Sequence, residues 1–408
     1  VSERRVPESI RALRSANFRL YFFGQAVSLL GSWIQQVALV WLVYRLTGSA
    51  ALLGVTTFAS LAPQLLIGPL AGAWIDKQDK RRCLIVVQSL LATQALTLAV
   101  LAALGWIGPT LIVAMSLLLG VLSSFDAPLR HSLINAFVES REDLPNALAL
   151  NSMLVNGGRF FGPPVAGLLL GLSSEAVCFG LNALSFMALI FAVLRADGRM
   201  PEPVRGPVGR VFKEGARYVW DTWYVRVLIG VVIGVNLTAS SYATLLPILA
   251  KDVFLGDAKT LGWLWGGAGG GAFLGTVVLT RVRSLARLSQ GVVAAVAISA
   301  VALVGIGASH LPALAFAGLV LLGFGITVCN AGINMLLQSS TPETMRGRVV
   351  SFFMATRFGF DAIGGLAAGL LAAWWGVQVA LWIEGVLLFV CLGFLFSHRG
   401  RLESDLRH

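Results

Sequence analysis

An all-α integral membrane protein is predicted, with twelve transmembrane helices in two six-helix bundles and both termini cytoplasmic. Three observations predict it. The 408 residues are 57% hydrophobic and 12% charged, with a mean hydropathy of +0.80, far outside the range of soluble domains. Apolar runs of about 20 residues, long enough to cross a hydrocarbon core of about 30 Å as helices, recur from end to end. The basic residues, finally, gather in alternate joins between those runs.

The first six spans are expected near 17–45, 50–75, 83–105, 110–135, 146–173 and 175–194. The second six follow near 224–249, 260–280, 290–308, 313–338, 349–374 and 378–397. The first run is too long for a cleavable signal, and the chain continues in the same style. Between the sets lies "RADGRMPEPVRGPVGRVFKEGARYVW", Arg195 to Trp220, rich in Pro, Gly and Arg. It reads as a cytoplasmic linker. The expected organisation is therefore an N-terminal bundle over 1–194, a linker over 195–222, a C-terminal bundle over 223–398 and a tail over 399–408.

Charge placement orients the chain. Arg4, Arg5, Arg11 and Arg14 precede span 1 and Arg19 falls in its first turn, and the joins after spans 2, 6 and 8 and the C-terminal tail are basic too. The opposite loops hold only Arg45, Lys251 and Lys259 of the 31 Lys and Arg, which is the positive-inside pattern. Attraction to anionic lipid headgroups accounts for the net charge of +11 without nucleic acid. Cys83, Cys178, Cys329 and Cys391 lie far apart in apolar runs, and four His residues are scattered. No disulfide framework, metal site or cofactor is implied. No G-x-x-x-x-G-K-[ST] loop occurs, which excludes a built-in ATP motor, and no nucleophile with an adjacent base marks an enzyme.

The two blocks look weakly alike at an offset of about 200 residues. Gly72 falls opposite Gly275, Gly120 opposite Gly323, and "GPPVAG" from Gly162 opposite "GGLAAG" from Gly364. Secondary transporters are commonly built from such repeats, with substrate bound near the midplane between them.

After span 2 comes "GAWIDKQDKRR", Gly72 to Arg82. Here the chain resembles the major facilitator superfamily: Gly72, Asp76, Lys77, Lys80 and Arg81 match its signature between spans 2 and 3. Lys77 stands for the usual arginine and Asp79 for the usual glycine. The resemblance implies that Asp76 engages span 11 near its N-terminus, where the helix dipole favours an anion, and helps latch an outward-open state. "FDAPLRHSLINAFV" from Phe125 and "NALALNSMLVNGGRFFGPPVAG" from Asn146 resemble the branch holding the enterobactin exporter and related drug and siderophore exporters. "GPPVAG" is similar to the span 5 motif of proton-driven antiporters.

In that motif Pro163 and Pro164 lack N–H groups, so the carbonyls of Arg159 and Phe160 lose their helical partners. Gly158, Gly162 and Ala166 form a strip of small residues that admits a neighbouring helix, with Gly167 one residue on. Arg159 lies about 20 Å from the cytoplasmic end of its span, where an unpaired charge costs on the order of 3 kcal/mol. Asp126 has Arg130 four residues on and Asp361 has Arg357 four before, so both carboxylates have a local partner. Arg159 and Glu384 must look outside their own helices. The repeat places Arg159 opposite Asp361. Arg159, Asp361 and Asp126 are expected to form the constellation that handles proton and substrate, with Asp361 or Asp126 exchanging the proton. The resemblance implies that span 12 lies outside the cavity, so Glu384 is expected to contact lipid or a neighbouring helix near the outer surface.

Gln25, Trp33, Gln36, Asn236, Tyr242, Asn330 and Asn334 complete the cavity candidates. In hydrocarbon each amide bonds another helix or faces water. Abundant Phe and Trp suit a loosely specified amphipathic ligand. The expected protein is a monomeric, proton-coupled exporter of drugs or siderophores in a bacterial inner membrane, in contact with lipids, protons and a small-molecule substrate. A lipid flippase of the same fold and a non-transporting receptor are the alternatives.

Overall fold

The computed structural model describes residues 8–75, 77–197, 216–282 and 284–405, and every regular element among them is helical. Asp76, positions 198–215 of the expected linker, and the chain ends at 1–7 and 406–408 lie outside the described residues. The first set of long helices is α1 (Ala16–Thr47), α2 (Ala50–Ile75), α3 (Lys80–Ala103), α4 (Pro109–Phe137), α5 (Leu144–Leu172) and α6 (Glu175–Arg195). The second is α7 (Trp223–Val253), α8 (Ala258–Leu279), α9 (Leu285–Ala308), α10 (Pro312–Ser340), α11 (Glu343–Trp375) and α12 (Val377–Asp405).

Local chemistry sets the helix ends. Ser15, Ser174 and Ser284 cap α1, α6 and α9 through their hydroxyls, satisfying donors that a first turn leaves orphaned. Asp257 and Thr260 form a capping box on α8. Pro109 and Pro312 open α4 and α10, where a missing N–H costs nothing. Gly48 ends α1 at φ +60°, a left-handed turn that favours glycine. The helix α7 is interrupted: a 3₁₀ turn at Ala239–Ser241 separates Trp223–Thr238 from Tyr242–Ile248, and a wide turn follows at Leu249–Val253.

Ten of these helices are long and apolar enough to cross a membrane among the described residues. The other two expected spans, α5 and α8, form helices but fall short in composition. Asn, Arg and Pro dilute α5, and seven glycines between Gly262 and Gly275 dilute α8. For these two the expected twelve-span count rests on position in the bundle. They pack on each other, so part of each is screened by protein.

Within the first set α1 packs on α5 and α6, α2 on α4, and α3 on α4 and α6. In the second, α7 packs on α11 and α12, α8 on α10, and α9 on α10 and α12. Two seams join the sets, α2 with α11 and α5 with α8. The repeat is visible in these contacts. A Cβ at Gly120 of α4 would lie 2.6 Å from the Ser60 carbonyl oxygen of α2, and one at Gly323 of α10 would lie 1.9 Å from that of Ala268 in α8. Gly167 of α5 meets Gly262 of α8, and Gly369 of α11 meets Gly54 of α2, each as backbone against backbone. Only glycine permits this approach. One expected equivalence fails. Gly72 meets nothing within 4 Å, whereas Gly275 packs on Phe324 and Val328. The contacts pair α2 with α8 at an offset of 208, from Gly54 to Gly262 and Ser60 to Ala268, which puts Gly72 and Gly275 at different heights.

Burial is uneven along the seams. At the end holding the α1–α2 and α7–α8 joins, Val43, Leu53, Leu170 and Phe179 merge with Leu245, Leu249 and Leu261 into one apolar core shared by both sets. At the other end Phe18, Leu84, Leu133, Phe137 and Leu189 form a core belonging to the first set alone among the described residues. The sets close on each other at one end.

Candidate functional site

Between the sets lies a cavity of about 280 Å³. The helix α2 presents Thr56, Thr57, Ser60 and Gln64 to it, and this three-to-four-residue spacing places them on one helical stripe. Gln36 and Gln35 from α1, Asp126 from α4, Asn182 from α6, Ser240 and Thr244 from α7, Trp265 from α8 and Asp361 from α11 continue the lining. Across the seam the Thr244 hydroxyl donates to that of Thr57 at 3.1 Å.

The two expected acid–base pairs behave differently. Arg130 donates through Nε to both Asp126 oxygens at 2.9 and 2.8 Å. Nη2 reaches Ser28 Oγ at 2.9 Å, and the Gln88 amide also donates to Asp126. Asp126 is thus held by its own helix and by α3. Asp361 carries no such clamp. The charges of Arg357 and Arg159 both bear on it, and those of Arg159 and Asp361 bear on Tyr242. Among the described residues no ion pair within 4 Å joins them. The local Arg357–Asp361 pair expected from the four-residue spacing is therefore not made: the Arg357 guanidinium lies over the Phe358 ring, 5.2 Å from its centroid, and Nε has no hydrogen-bond partner. Cation–π contact draws it along its own helix.

The α5 motif divides its labour between two neighbours. Gly158 and Gly162 admit Leu29 and Trp33 of α1, with a Cβ at Gly162 falling 2.6 Å from Trp33 Cβ. The proline side meets α8. A Cβ at Gly266 would sit 2.4 Å from Pro164 Cγ, and one at Gly269 would sit 2.3 Å from the Arg159 carbonyl oxygen. The carbonyl that Pro163 releases is thus laid on a glycine backbone of the other set.

The remaining candidates separate cleanly. Gln36 lines the cavity. Gln25 instead donates to Asn151 at 2.8 Å, and Asn236 to Asn330 at 3.0 Å, so these three join helices rather than line the cavity. Asn334 accepts from Gln338 on its own helix at 3.1 Å. Trp33 meets Trp265 edge to face with centroids 6.1 Å apart. Sequence reasoning missed the α2 stripe, Trp265, and a buried amide chain. In that chain Asn182 donates to Gln35 at 2.8 Å and Gln35 to Gln94 at 3.1 Å. Amides and hydroxyls inside apolar runs are the sequence signal for these residues.

Of the signature after α2, Asp76 lies outside the described residues. Asp79 caps α3 by accepting from Arg81 and Arg82 N–H groups at 3.0 and 3.1 Å. Arg81 donates to the Leu194 carbonyl in the last turn of α6 at 2.9 Å. Lys77 is exposed in the turn, and Lys80 opens α3.

A polar cavity between two sets of repeated helices, closed at one end by glycine seams and lined by the carboxylates of Asp126 and Asp361, is the architecture of a major facilitator transporter. The chain belongs to the transmembrane secretion effector family, which it matches over residues 8–405. It is 26% identical to the staphyloferrin A transporter of Staphylococcus aureus, covering 92% of this chain and 94% of that one. It is also 26% identical to the multidrug efflux pump Tap of Mycolicibacterium fortuitum, covering 92% and 95%. The enterobactin exporter of Shigella boydii shares 27% identity over 87% and 85%. Among solved structures, a bacterial homolog of the human lysosomal transporter Spinster superposes with a TM-score of 0.72 at 13% identity, covering 97% and 98%. The chain is a multi-pass membrane transporter of the siderophore and multidrug exporter type.

Proposed function

We propose that this transporter exports amphipathic small molecules of the siderophore or drug class in exchange for protons, by alternating access. One observation carries the reading. Asp361 faces the cavity within the fields of two arginines from different sets and is clamped by neither. A carboxylate in that position can release a proton when Arg159 moves closer and take one when it moves away. Arg159 is borne on α5 and Asp361 on α11, so rocking of the sets changes their separation. Asp126, already clamped by Arg130 and Gln88, serves as a fixed anchor for the α4 wall.

The positive-inside pattern supports an orientation with the closed end outside, in which an exporter would load from the cytoplasm. The cavity's hydroxyl and amide stripe, bordered by Trp265, suits a ligand with a polar head and an aromatic or aliphatic body. Lysolipid is the second reading. Flux in proteoliposomes tests both: a pH gradient, acidic on the receiving side, should drive siderophore or dye movement in the wild type and fail to drive it in Asp361→Asn. Equal flux with and without the gradient in wild type would favour the lipid reading and remove Asp361 from coupling.

A further inference from the structure

Glu384 lies on α12, away from the cavity lining, and is only 2% exposed. Its carboxyl meets the interruption in α7. The Ser241 hydroxyl is 2.7 Å from Glu384 Oε1 and also within hydrogen-bond distance of the Thr238 carbonyl oxygen. Oε2 has no partner. A hydroxyl has one proton to donate. If Glu384 were ionised, Ser241 would face two acceptors with one proton, and a buried anion would rest on a single hydrogen bond, an arrangement far costlier than a neutral group there. With the proton on the carboxyl, every contact has a donor. Glu384 donates to Ser241 Oγ, and Ser241 donates to the Thr238 carbonyl.

Among the described residues no cation forms an ion pair with Glu384 in place of that proton. The helices packed on α12 are α7, α9 and α11. From α7 the facing groups are Ser241 and, next in the chain, Tyr242, whose charged neighbours are Arg159 and Asp361. From α9 they are the apolar Ala300 and Val304, which meet Gly385; the charged residue of that helix, Arg287, lies in its first turn. From α11 the ionisable residues are Arg357 and Asp361, and among the described residues Arg357 makes no ion pair with Glu384 within 4 Å. On α12 itself the nearest ionisable group is Cys391, two turns along, and the charged residues begin at His398.

We propose that Glu384 is a proton-binding site separate from the cavity, a neutral carboxylic acid in this conformation whose deprotonation resets the interruption in α7. Removing the proton turns Ser241 toward the carboxylate and takes its donor from Thr238. The turn at Ala239–Ser241 then loses a tie. Ser240, Ala243 and Thr244, which line the cavity, and the Thr244–Thr57 contact across the seam move with it. The consequence for transport rests on the proton-coupled reading above, whereas the protonation does not.

Infrared difference spectra of the purified full-length protein, recorded against pH, test the site. Wild type and Asp361→Asn should both show a carboxylic-acid carbonyl band that is lost in Glu384→Gln, whose amide keeps the donor to Ser241. In Ser241→Ala the band should persist at a shifted frequency. Identical spectra for wild type and Glu384→Gln would overturn the proposal. Should Glu384→Gln fail to fold, Glu384→Asp should shift the same band, and an unshifted band would be equally fatal. The link to α7 is read by thiol labelling of Ser240→Cys in a cysteine-free background. Its rate should change with pH, and that change should vanish when Glu384→Gln is added. An unaltered pH dependence would refute the link. If Asp361→Asn keeps gradient-driven flux while the Glu384 band is present, the coupling reading fails and the Glu384 site stands.

Discussion

Adding one methyl group at Gly167 tests whether the glycine seams hold the transporter closed. A Cβ there would fall 2.6 Å from the Ala258 carbonyl oxygen and 2.8 Å from Gly262 Cα. Both partners are backbone and cannot rotate away. Restoring an ordinary contact requires α5 and α8 to separate by several tenths of an ångström at that end. Overpacking of this kind costs about 1–3 kcal/mol. The gain of about 1 kcal/mol in helix propensity on replacing glycine by alanine is common to the open and closed states and cancels. The closed conformation should therefore lose about 1–3 kcal/mol relative to the open one, a population shift of about 5- to 150-fold. Spin labels at the exposed positions Leu172 and Leu255, 72% and 87% accessible, report the gap across this end by double electron–electron resonance. Gly167→Ala should enrich the longer distance. Gly369→Ala should reinforce it, because its Cβ meets Ala50 O at 2.6 Å and Gly54 Cα at 2.7 Å on the other seam. Gly230→Ala, where a Cβ meets nothing within 4 Å, is the control. An unchanged distance distribution in the double variant would refute the idea that backbone contact at these glycines closes the seam.

Other outcomes follow from single contacts. Tyr44 of α1 donates to Asp252 of α7 across the same closed end, so Tyr44→Phe should weaken closure by about 1.5 kcal/mol, read as more of the long distance in the same spin-label assay. Asn330→Leu removes the partner of Asn236 and should lower stability by about 1 kcal/mol, measured as the midpoint of thermal unfolding in detergent; no change would mean that Asn236 is satisfied by the Val232 carbonyl and Ser240 alone. Asp79→Ala removes the cap from two N–H groups of α3; it should cost about 1 kcal/mol and leave gradient-driven flux intact, whereas loss of flux at unchanged stability would give Asp79 a part in gating. Arg130→Leu leaves Asp126 with Gln88 alone and should impair folding more than Arg159→Leu, because the clamped pair is structural; the ratio of monodisperse protein recovered checks the order.

Much of the chain's behaviour was legible before any helix was placed. The repeat between "GPPVAG" and "GGLAAG" identified Gly167 and Gly369, and both turned out to meet a glycine of the other set. It also set Arg159 opposite Asp361, and among the described residues no ion pair within 4 Å joins the two. The same alignment failed at Gly72 and Gly275, because glycines in sequence register need not share a height when the helices between them differ in length. The four-residue rule succeeded for Asp126 and Arg130 and failed for Arg357 and Asp361. Spacing makes a pair possible, and whether it forms depends on what else competes for the guanidinium, here the Phe358 ring. Amides were recognisable as costly in an apolar run, yet Asn236 and Asn330 proved to be partners of each other, while Gln64 and Thr57 line the cavity. A sequence records the need for a partner and not its identity.

Composition and the spacing of apolar runs determined that this chain is a helical membrane protein, since hydrocarbon accepts only backbone that satisfies its own hydrogen bonds. The signature after α2 and the repeat determined its family, and the doubled prolines determined that the Arg159 and Phe160 carbonyls would be released. Tertiary structure alone decided where those carbonyls went, which carboxylate was clamped and which was left free, and that Glu384 would meet a serine at a helix break. Those outcomes depend on distances between helices far apart in the chain, and such distances are set by side-chain volumes on both sides of each seam rather than by any one segment.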